Sequence, residues 1–246
     1  MDPHTSEFDA LVPPYNERGY VVVENLLSDQ QIQEAEAEIE RVSQQDRTAF
    51  RPGDLFFTGD TDVLQQIERL ERYSLMFAQL RDHRCILDVV ESLLPKPVHC
   101  ENVSYMAKPA RIGAIVPYHQ DNAYYHFVPD DALTVWVALD ASRTDNGCLR
   151  VIPGSHKNGT VPHVSSGVRG ISFTVAQPID SQLDGEVALE LSRGDASVHH
   201  CNLFHASKPN LSENHRRGLV MFYHSSHCQV DKQLRAGYLE AQEPPQ

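Results

Sequence analysis

The sequence predicts a mainly β fold, an antiparallel jelly roll preceded and buttressed by helices. Two observations carry that prediction. Up to Pro95 the apolar residues recur at helical spacing; from Val98 onward the chain breaks into short β-rich runs separated by Gly, Pro, Asn and Asp. Helices first and strands after fit one layered domain over residues 1–246, with a helical part at about 25–95 and a β core at about 98–228. At 246 residues, 41% hydrophobic and 22% charged, the chain has the size and composition of a globular protein with a substantial core.

Taken in order, the residues before Pro13 read as a loose leader, and Gly19-Tyr20-Val21-Val22-Val23 is a short β-rich run. Ser28 and Asp29 offer a cap for a helix through about Val42, with Ile32, Ala35, Ile39 and Val42 on one stripe. Arg51-Pro52-Gly53-Asp54 is turn chemistry. Thr61 to Leu94 reads as two helices, from the spacing Leu64, Ile67, Leu70 and then Ile86, Val89, Val90, Leu93, stopped by Pro95 and Pro97. Strands are expected at His99–Met106, Leu133–Leu139, Cys148–Ile152, Ser172–Val175, Val187–Leu191, Ala196–His200 and Leu219–Ser225. Short strands at this spacing make a sandwich or barrel.

Charge and composition narrow the function. A formal net charge of -13 repels polyanions and argues against a nucleic-acid partner, yet leaves room for a local basic pocket that takes a small molecule. No run approaches the ~18 apolar residues of a membrane span. The N-terminus lacks a basic-then-apolar leader, and Glu243-Pro244-Pro245-Gln246 is no peroxisomal or retention address, so a cytoplasmic protein without a membrane partner is expected. The five cysteines (Cys85, Cys100, Cys148, Cys201, Cys228) are odd in number and form no C-x-x-C pair, so reduced thiols are expected.

His119-Gln120-Asp121 is the centre of the functional reading. Non-haem iron(II) oxygenases hold their metal with two imidazoles and one carboxylate on one face, leaving three positions open. On an extended segment, alternate residues face alike, which suits an H-x-D pair to chelation. With 13 histidines and 34 acidic residues, about two such pairs arise by chance, so the pair alone identifies nothing. A third ligand must come from a distant strand, and Gly194 to His205 offers His199, His200 and His205, of which the adjacent His199 and His200 cannot both face a metal. Decarboxylating a 2-oxo acid also needs a cation for the far carboxylate; Arg216 supplies a planar fork eleven residues after His205, and Ser207 a hydroxyl.

Tyr118-His119-Gln120-Asp121, Asn146-Gly147-Cys148-Leu149-Arg150-Val151-Ile152-Pro153-Gly154-Ser155-His156 and His205-Ala206-Ser207-Lys208-Pro209-Asn210, followed by Arg216, resemble the phytanoyl-CoA dioxygenase family of iron(II)/2-oxoglutarate oxygenases. The resemblance runs from about Gly19 to Ser225. It implies a cupin-like double-stranded β-helix with iron(II) on His119, Asp121 and His205, and it selects His205 over His199 and His200. It also implies that Ser207 and Arg216 hold the distal carboxylate of 2-oxoglutarate, with Tyr105 a further co-substrate contact. O2 is the oxidant, with ascorbate as an accessory reductant. Related halogenases carry a small residue where this chain has Asp121, so an oxidation such as hydroxylation is implied, not chlorination.

Around the substrate, Phe56, Phe57, Tyr124, Tyr125 and Trp136 are candidate pocket walls. Gln120 points away from the metal by strand alternation, although relatives use this position near the substrate, and His156 reads as structural. The expected reaction hydroxylates a small metabolite or natural-product intermediate, releasing succinate and CO2. An acyl-CoA hydroxylase of the same family, a zinc hydrolase, or a non-catalytic metal-binding sensor on the same fold are the alternatives.

Overall fold

Pro13 and Pro14 occupy the first helical positions, where a missing N–H costs nothing, and open α1 (Val12–Arg18). Gly19 closes it at φ +82°, and a Cβ there would stand 2.5 Å from His156 Nδ1, so this end accepts only glycine. Ser28 and Gln31 form a reciprocal capping box that starts the helix expected from Asp29. The computed structural model describes residues 8–59, 61–168, 171–180 and 185–236. Most of the expected leader (residues 1–7) and the terminal Glu243 to Gln246 lie outside the described residues.

In chain order α1 is followed by β1 (Tyr20–Val23), α2 (Asp29–Ser43), β2 (Leu55–Phe57), β3 (Leu64–Ile67), α3 (Leu75–Leu80), α4 (Arg84–Leu93), β4 (Val98–Lys108), β5 (Val116–His119) and α5 (Asn122–Tyr125). Next come β6 (Phe127–Val128), β7 (Ala132–Ala138), β8 (Leu149–Val151), β9 (His163–Val168), β10 (Ile171–Val175) and β11 (Val187–Leu189). The last are β12 (Ala196–His200), β13 (His205–Ser207), β14 (Arg216–Ser225) and β15 (Gln229–Val230). Seven strands form a large antiparallel sheet in the order β1-β12-β7-β14-β4-β3-β2, and four form a smaller one, β11-β8-β13-β5. This is the expected jelly roll, a double-stranded β-helix with helices ahead of it.

Strand alternation divides the large sheet into two chemically different faces. One face presents Val21, Val23, Val103, Tyr105, Val135, Val137, Leu219 and Met221, which share a single buried cluster with Ile32, Ala35 and Val42 of α2, Phe77 of α3 and Val89 of α4. The register pairs Arg216 with Lys108, Gly218 with Met106, and Val220 with both Ser104 and Trp136. These residues make the opposite face, which looks toward the functional site. Glu36 of α2 ties the helices to the sheet edge through Arg193 (2.6 Å) and Arg217 (2.5 Å), and Arg217 also pairs with Asp140 at 2.7 Å.

Three local expectations are corrected. Leu64 to Ile67 is strand, not helix: it lies between β2 and β4, and Arg69 at φ +56° breaks the chain before Leu70. The apolar spacing at 64, 67 and 70 mimicked a helical turn while belonging to a strand and the bend after it. The two helices of that region are instead α3 and α4. β5, β9 and β13 were not anticipated as strands, and Pro13 lies in a helix, not at the end of a leader. All five cysteines are free thiols, as expected, and no helix among the described residues is long and apolar enough to cross a membrane.

Because the helical cluster and the site occupy opposite faces, damage to one should spare the other. Ile32→Ala, at a fully buried position, should cost about 3 kcal/mol of stability in urea denaturation. Metal affinity at working temperature should remain that of the parent; a parallel loss would mean the faces are coupled.

Candidate metal centre

Three ligand atoms from different elements converge between the two sheets. His119 ends β5, His205 opens β13, and the two residues are directly paired in the small sheet. Their rings lie 4.1 Å apart. The carboxylate Oδ1 of Asp121 stands 3.8 Å from His119 Nε2 and 3.5 Å from His205 Nε2. Ligand atoms at right angles around an ion, at bonds of about 2.1 Å, sit about 3 Å apart, so small side-chain movements suffice for chelation. His119, Asp121 and His205 thus form a group that could hold a metal ion.

Both histidines are held in the orientation a metal requires. Nδ1 of His119 donates to Pro117 O at 2.9 Å and Nδ1 of His205 to Leu203 O at 3.0 Å, which directs each Nε2 lone pair inward. Burial lowers the pKa of His119, and burial together with the His119 ring pushes His205 down to about 3, so both imidazoles are neutral donors. Burial alone would raise the Asp121 carboxyl; the surrounding His205, His199 and His119 outweigh it and hold the group well below the usual carboxylate range.

Asp121 does not sit on a strand. Its backbone is helical (φ -63°, ψ -36°) and it caps α5, so a turn after β5 aims the carboxylate back at His119, not the strand alternation expected from the sequence. Its second oxygen, Oδ2, is gripped from the large sheet. Thr134 Oγ1 donates to it, and His199 Nε2 lies 3.3 Å away, although neither ring nitrogen of His199 has a hydrogen-bond partner of good geometry. Of the three histidines that the sequence offered near residue 200, His205 joins the group, His199 stands behind Asp121, and His200 turns away to Asn202 N and the His156 ring.

Beyond the triad, Arg216 and Lys108 face each other across β14 and β4. Both are buried, at 5% and 4% exposure. Arg216 donates twice to Gly147 O (3.0 and 2.8 Å) and lies over Trp136, 4.9 Å from the ring centre; Lys108 Nζ donates to Ala114 O. Gly218 makes room for that indole, since a Cβ there would stand 2.3 Å from Trp136 Cζ2. Burial pushes Arg216 down to about 10; burial and the neighbouring guanidinium push Lys108 down to about 6. Among the described residues no carboxylate pairs with either cation. A buried guanidinium beside a lysine that gains its charge when an anion arrives forms a socket for one. Ser207, buried and two residues after His205, shares that histidine's face of β13.

The remaining candidates divide. Phe56 pairs with Gln66, which pairs with Met106, so it belongs to the site face of the large sheet; Tyr124 meets His119 edge-on at 6.1 Å and Phe173 at 5.7 Å. Phe57 instead takes Arg47 over its ring, and Tyr125 stacks on Phe222 at 3.9 Å. Tyr105 is overturned as a co-substrate contact: it points into the helical cluster, on the far side of the sheet from Arg216. Gln120 is overturned as a substrate contact. It is fully buried, donates to Gly159 O (2.8 Å) and Asn202 O (2.7 Å), and accepts from Val161 N (2.8 Å), so its amide has no group left to offer. His156 is structural as expected, bonding Asn16 O at 3.2 Å. Thr134, Lys108 and Gln66 were missed; alternation of polar residues along β4 and β7 could have signalled the face of Lys108 and Thr134, whereas Gln66 lies on β3, which the apolar spacing assigned to a helix.

Two imidazoles, one carboxylate and a double-stranded β-helix define a class of mononuclear metal proteins with open coordination positions. The chain belongs to the phytanoyl-CoA dioxygenase (PhyH) family, whose model matches residues 15–218. It is 38% identical to a phytanoyl-CoA dioxygenase of Arabidopsis thaliana over 49% of this chain and 42% of that protein. It is 29% identical to the peroxisomal phytanoyl-CoA dioxygenase of Mus musculus over 87% of this chain and 68% of that protein. The epimerase SnoN, solved with Fe3+, alpha ketoglutarate and nogalamycin RO, shares the fold at TM-score 0.74 and 21% identity, covering 97% of this chain and 90% of SnoN.

The grip on Asp121 Oδ2 predicts a specific loss. Thr134→Val and His199→Phe should each weaken binding of cobalt(II), a coloured stand-in for the native ion, roughly 10- to 100-fold. Visible titration measures it, and undiminished affinity in both variants would show that Asp121 needs neither neighbour.

Proposed function

We propose that this chain is an iron(II)- and 2-oxoglutarate-dependent dioxygenase that oxidises a small organic molecule, with His119, Asp121 and His205 as the metal ligands. The observation that carries the reading is the pairing of that triad with a buried Arg216–Lys108 socket that no carboxylate of the described residues neutralises, on the site face of the large sheet. A hydrolase or a metal-binding sensor has no use for such a socket. Membership of the family supports the same reading.

Each residue has a separable task. His119 and His205 offer neutral Nε2 donors, and Asp121 brings one negative charge that offsets half the charge of a divalent ion. Arg216 and Lys108 receive the far carboxylate of the co-substrate, the planar guanidinium matching it with a two-pronged grip. Ser207 adds a hydroxyl donor. Trp136 covers the guanidinium and keeps water from it, which strengthens the charge pairing in a low-dielectric site. Tyr124 and Phe56 supply apolar wall for the substrate. Iron with bound 2-oxoglutarate supplies the oxidising chemistry that no side chain here has, with CO2 and succinate as the co-substrate's products. The protein's contribution is position, charge and dryness.

Three outcomes test the reading. His205→Ala and Asp121→Ala should abolish iron-dependent succinate release; turnover at the parent rate in either would remove the ligand assignment. Arg216→Met should raise the Kd for 2-oxoglutarate by roughly 100-fold, the scale of a lost charged hydrogen-bond pair. The third concerns pH. Without an anion Lys108 titrates at about 6, and an anion seated beside it raises that value. Binding therefore takes up a proton between the two values, and affinity falls as the pH climbs above the lower one. Calorimetry in buffers of different ionisation enthalpy reads the proton uptake directly, and Lys108→Met should remove it.

A further inference from the structure

The large sheet's site face carries, next to the cation socket, a group of acceptors that the proposed reaction does not use. Gln66 pairs with Met106, so two residues on Glu68 falls beside Ser104, on the face that also bears Val220 and Trp136. Ser104 Oγ and Asn102 Nδ2 (3.2 Å) donate to Glu68 Oε2, and Gln66 Nε2 donates to Oε1. Asn102 is fixed in turn, because its Oδ1 accepts from Tyr125 O–H at 3.1 Å. Three side chains hold one carboxylate in place, and Tyr125 holds one of the three.

What they leave open is informative. Gln66 is 6% exposed, and with its NH2 directed to Glu68 its carbonyl Oε1 has no hydrogen-bond partner. Gln66 also lines the cavity shared with Met106, Lys108 and Arg216. Among the described residues no Lys, Arg or His nitrogen pairs with Glu68, although fourteen other acidic side chains do find such partners. A carboxylate with no cationic partner and a buried carbonyl with no hydrogen bond stand side by side, both acceptors; Lys108 and Arg216 line the same cavity as Gln66 and are assigned above to the co-substrate. Leaving a buried carbonyl unmatched is costly. A ligand that suits this wall brings hydrogen-bond donors and positive charge.

We propose that Glu68 and Gln66 are the recognition end of the substrate pocket and select a substrate carrying a protonated amine. This rests on the oxygenase reading above. An ammonium presents three N–H donors and a charge, enough to serve the carboxylate and the carbonyl together. A hydroxyl satisfies one acceptor and leaves the charge uncompensated. A polyanionic thioester meets repulsion from the same wall. The net charge of -13 draws cations toward the cleft at long range. The arrangement also separates two oppositely charged ends of one cleft: cations for the diacid co-substrate, acceptors for the substrate.

The test uses the full chain with iron(II), 2-oxoglutarate and ascorbate, and reads succinate release above the substrate-free rate. Probes are matched sets of equal shape: benzylamine, benzyl alcohol and benzoate; cyclohexylamine, cyclohexanol and cyclohexanecarboxylate; L-lysine and 6-hydroxynorleucine. At least one amine should stimulate release over its own alcohol and acid by roughly 10- to 100-fold, the scale of a charged hydrogen bond. Glu68→Gln should erase that preference, and Glu68→Lys should turn it toward the acids. If no amine outperforms its matched alcohol and acid in the parent protein, the proposal is overturned, and this arm needs no variant to fold. An amine preference that survives intact in a folded Glu68→Gln protein overturns it equally. An anaerobic titration of the parent with iron(II) and 2-oxoglutarate separates the two levels: no visible charge-transfer band sinks the oxygenase reading itself, whereas a band without amine preference sinks only the assignment of Glu68 and Gln66.

Discussion

Everything in the cleft depends on one half-buried negative charge, the carboxylate of Asp121. A lone carboxylate in that position would be too costly to ionise. Thr134 donates to Asp121, and the rings of His119, His205 and His199 stand within 3.8 Å of its oxygens, so a divalent ion held by the two facing imidazoles would complete the compensation of its charge. Each sheet contributes to that ring: the small sheet holds the two imidazoles that face Oδ1, the large sheet the two side chains that face Oδ2. The charge is therefore also the point at which the two sheets are joined. Without an ion this is an arrangement of neutral donors around one anion, which is the condition a divalent cation satisfies best.

The large sheet explains how one layer serves two purposes. On β4 the odd-numbered residues Val103, Tyr105 and Ala107 meet the helices, while Asn102, Ser104, Met106 and Lys108 face the cleft. The helical side is mostly apolar and packed against the helices, so the sheet has a firm backing. The cleft side is free to carry amides, hydroxyls and charges at fixed spacing. Chemistry on one face is positioned by packing on the other.

Much of this was legible in the sequence, for identifiable reasons. The capped stripe of α2 and the alternating runs at β7, β12 and β14 follow period rules that tertiary contacts reinforced. β3 was misread because Leu64, Ile67 and Leu70 fit a helical period over a span too short to decide it, and the left-handed Arg69 carries no sequence signal. The triad was legible only through the family motif, because spacing alone left His199, His200 and His205 open. Tyr105 shows the cost of a one-residue error on a strand: the register that sets Leu219 opposite Tyr105 puts it on the wrong face. Thr134 and His199 act through Asp121, a relation between distant strands that no local pattern encodes.

Gln120 carries a consequence larger than its role as a fastener. Its amide joins the segment bearing His119 and Asp121 to the backbone at Gly159, Val161 and Asn202, three residues before His205; Asn122 N adds a bond to Cys201 O. The stretches that carry the candidate ligands are thus fastened to each other by the fold itself. The entropy of gathering them is lost when the chain folds, so an ion that binds there would meet a rigid vessel, and its loading and release would be separate from folding itself.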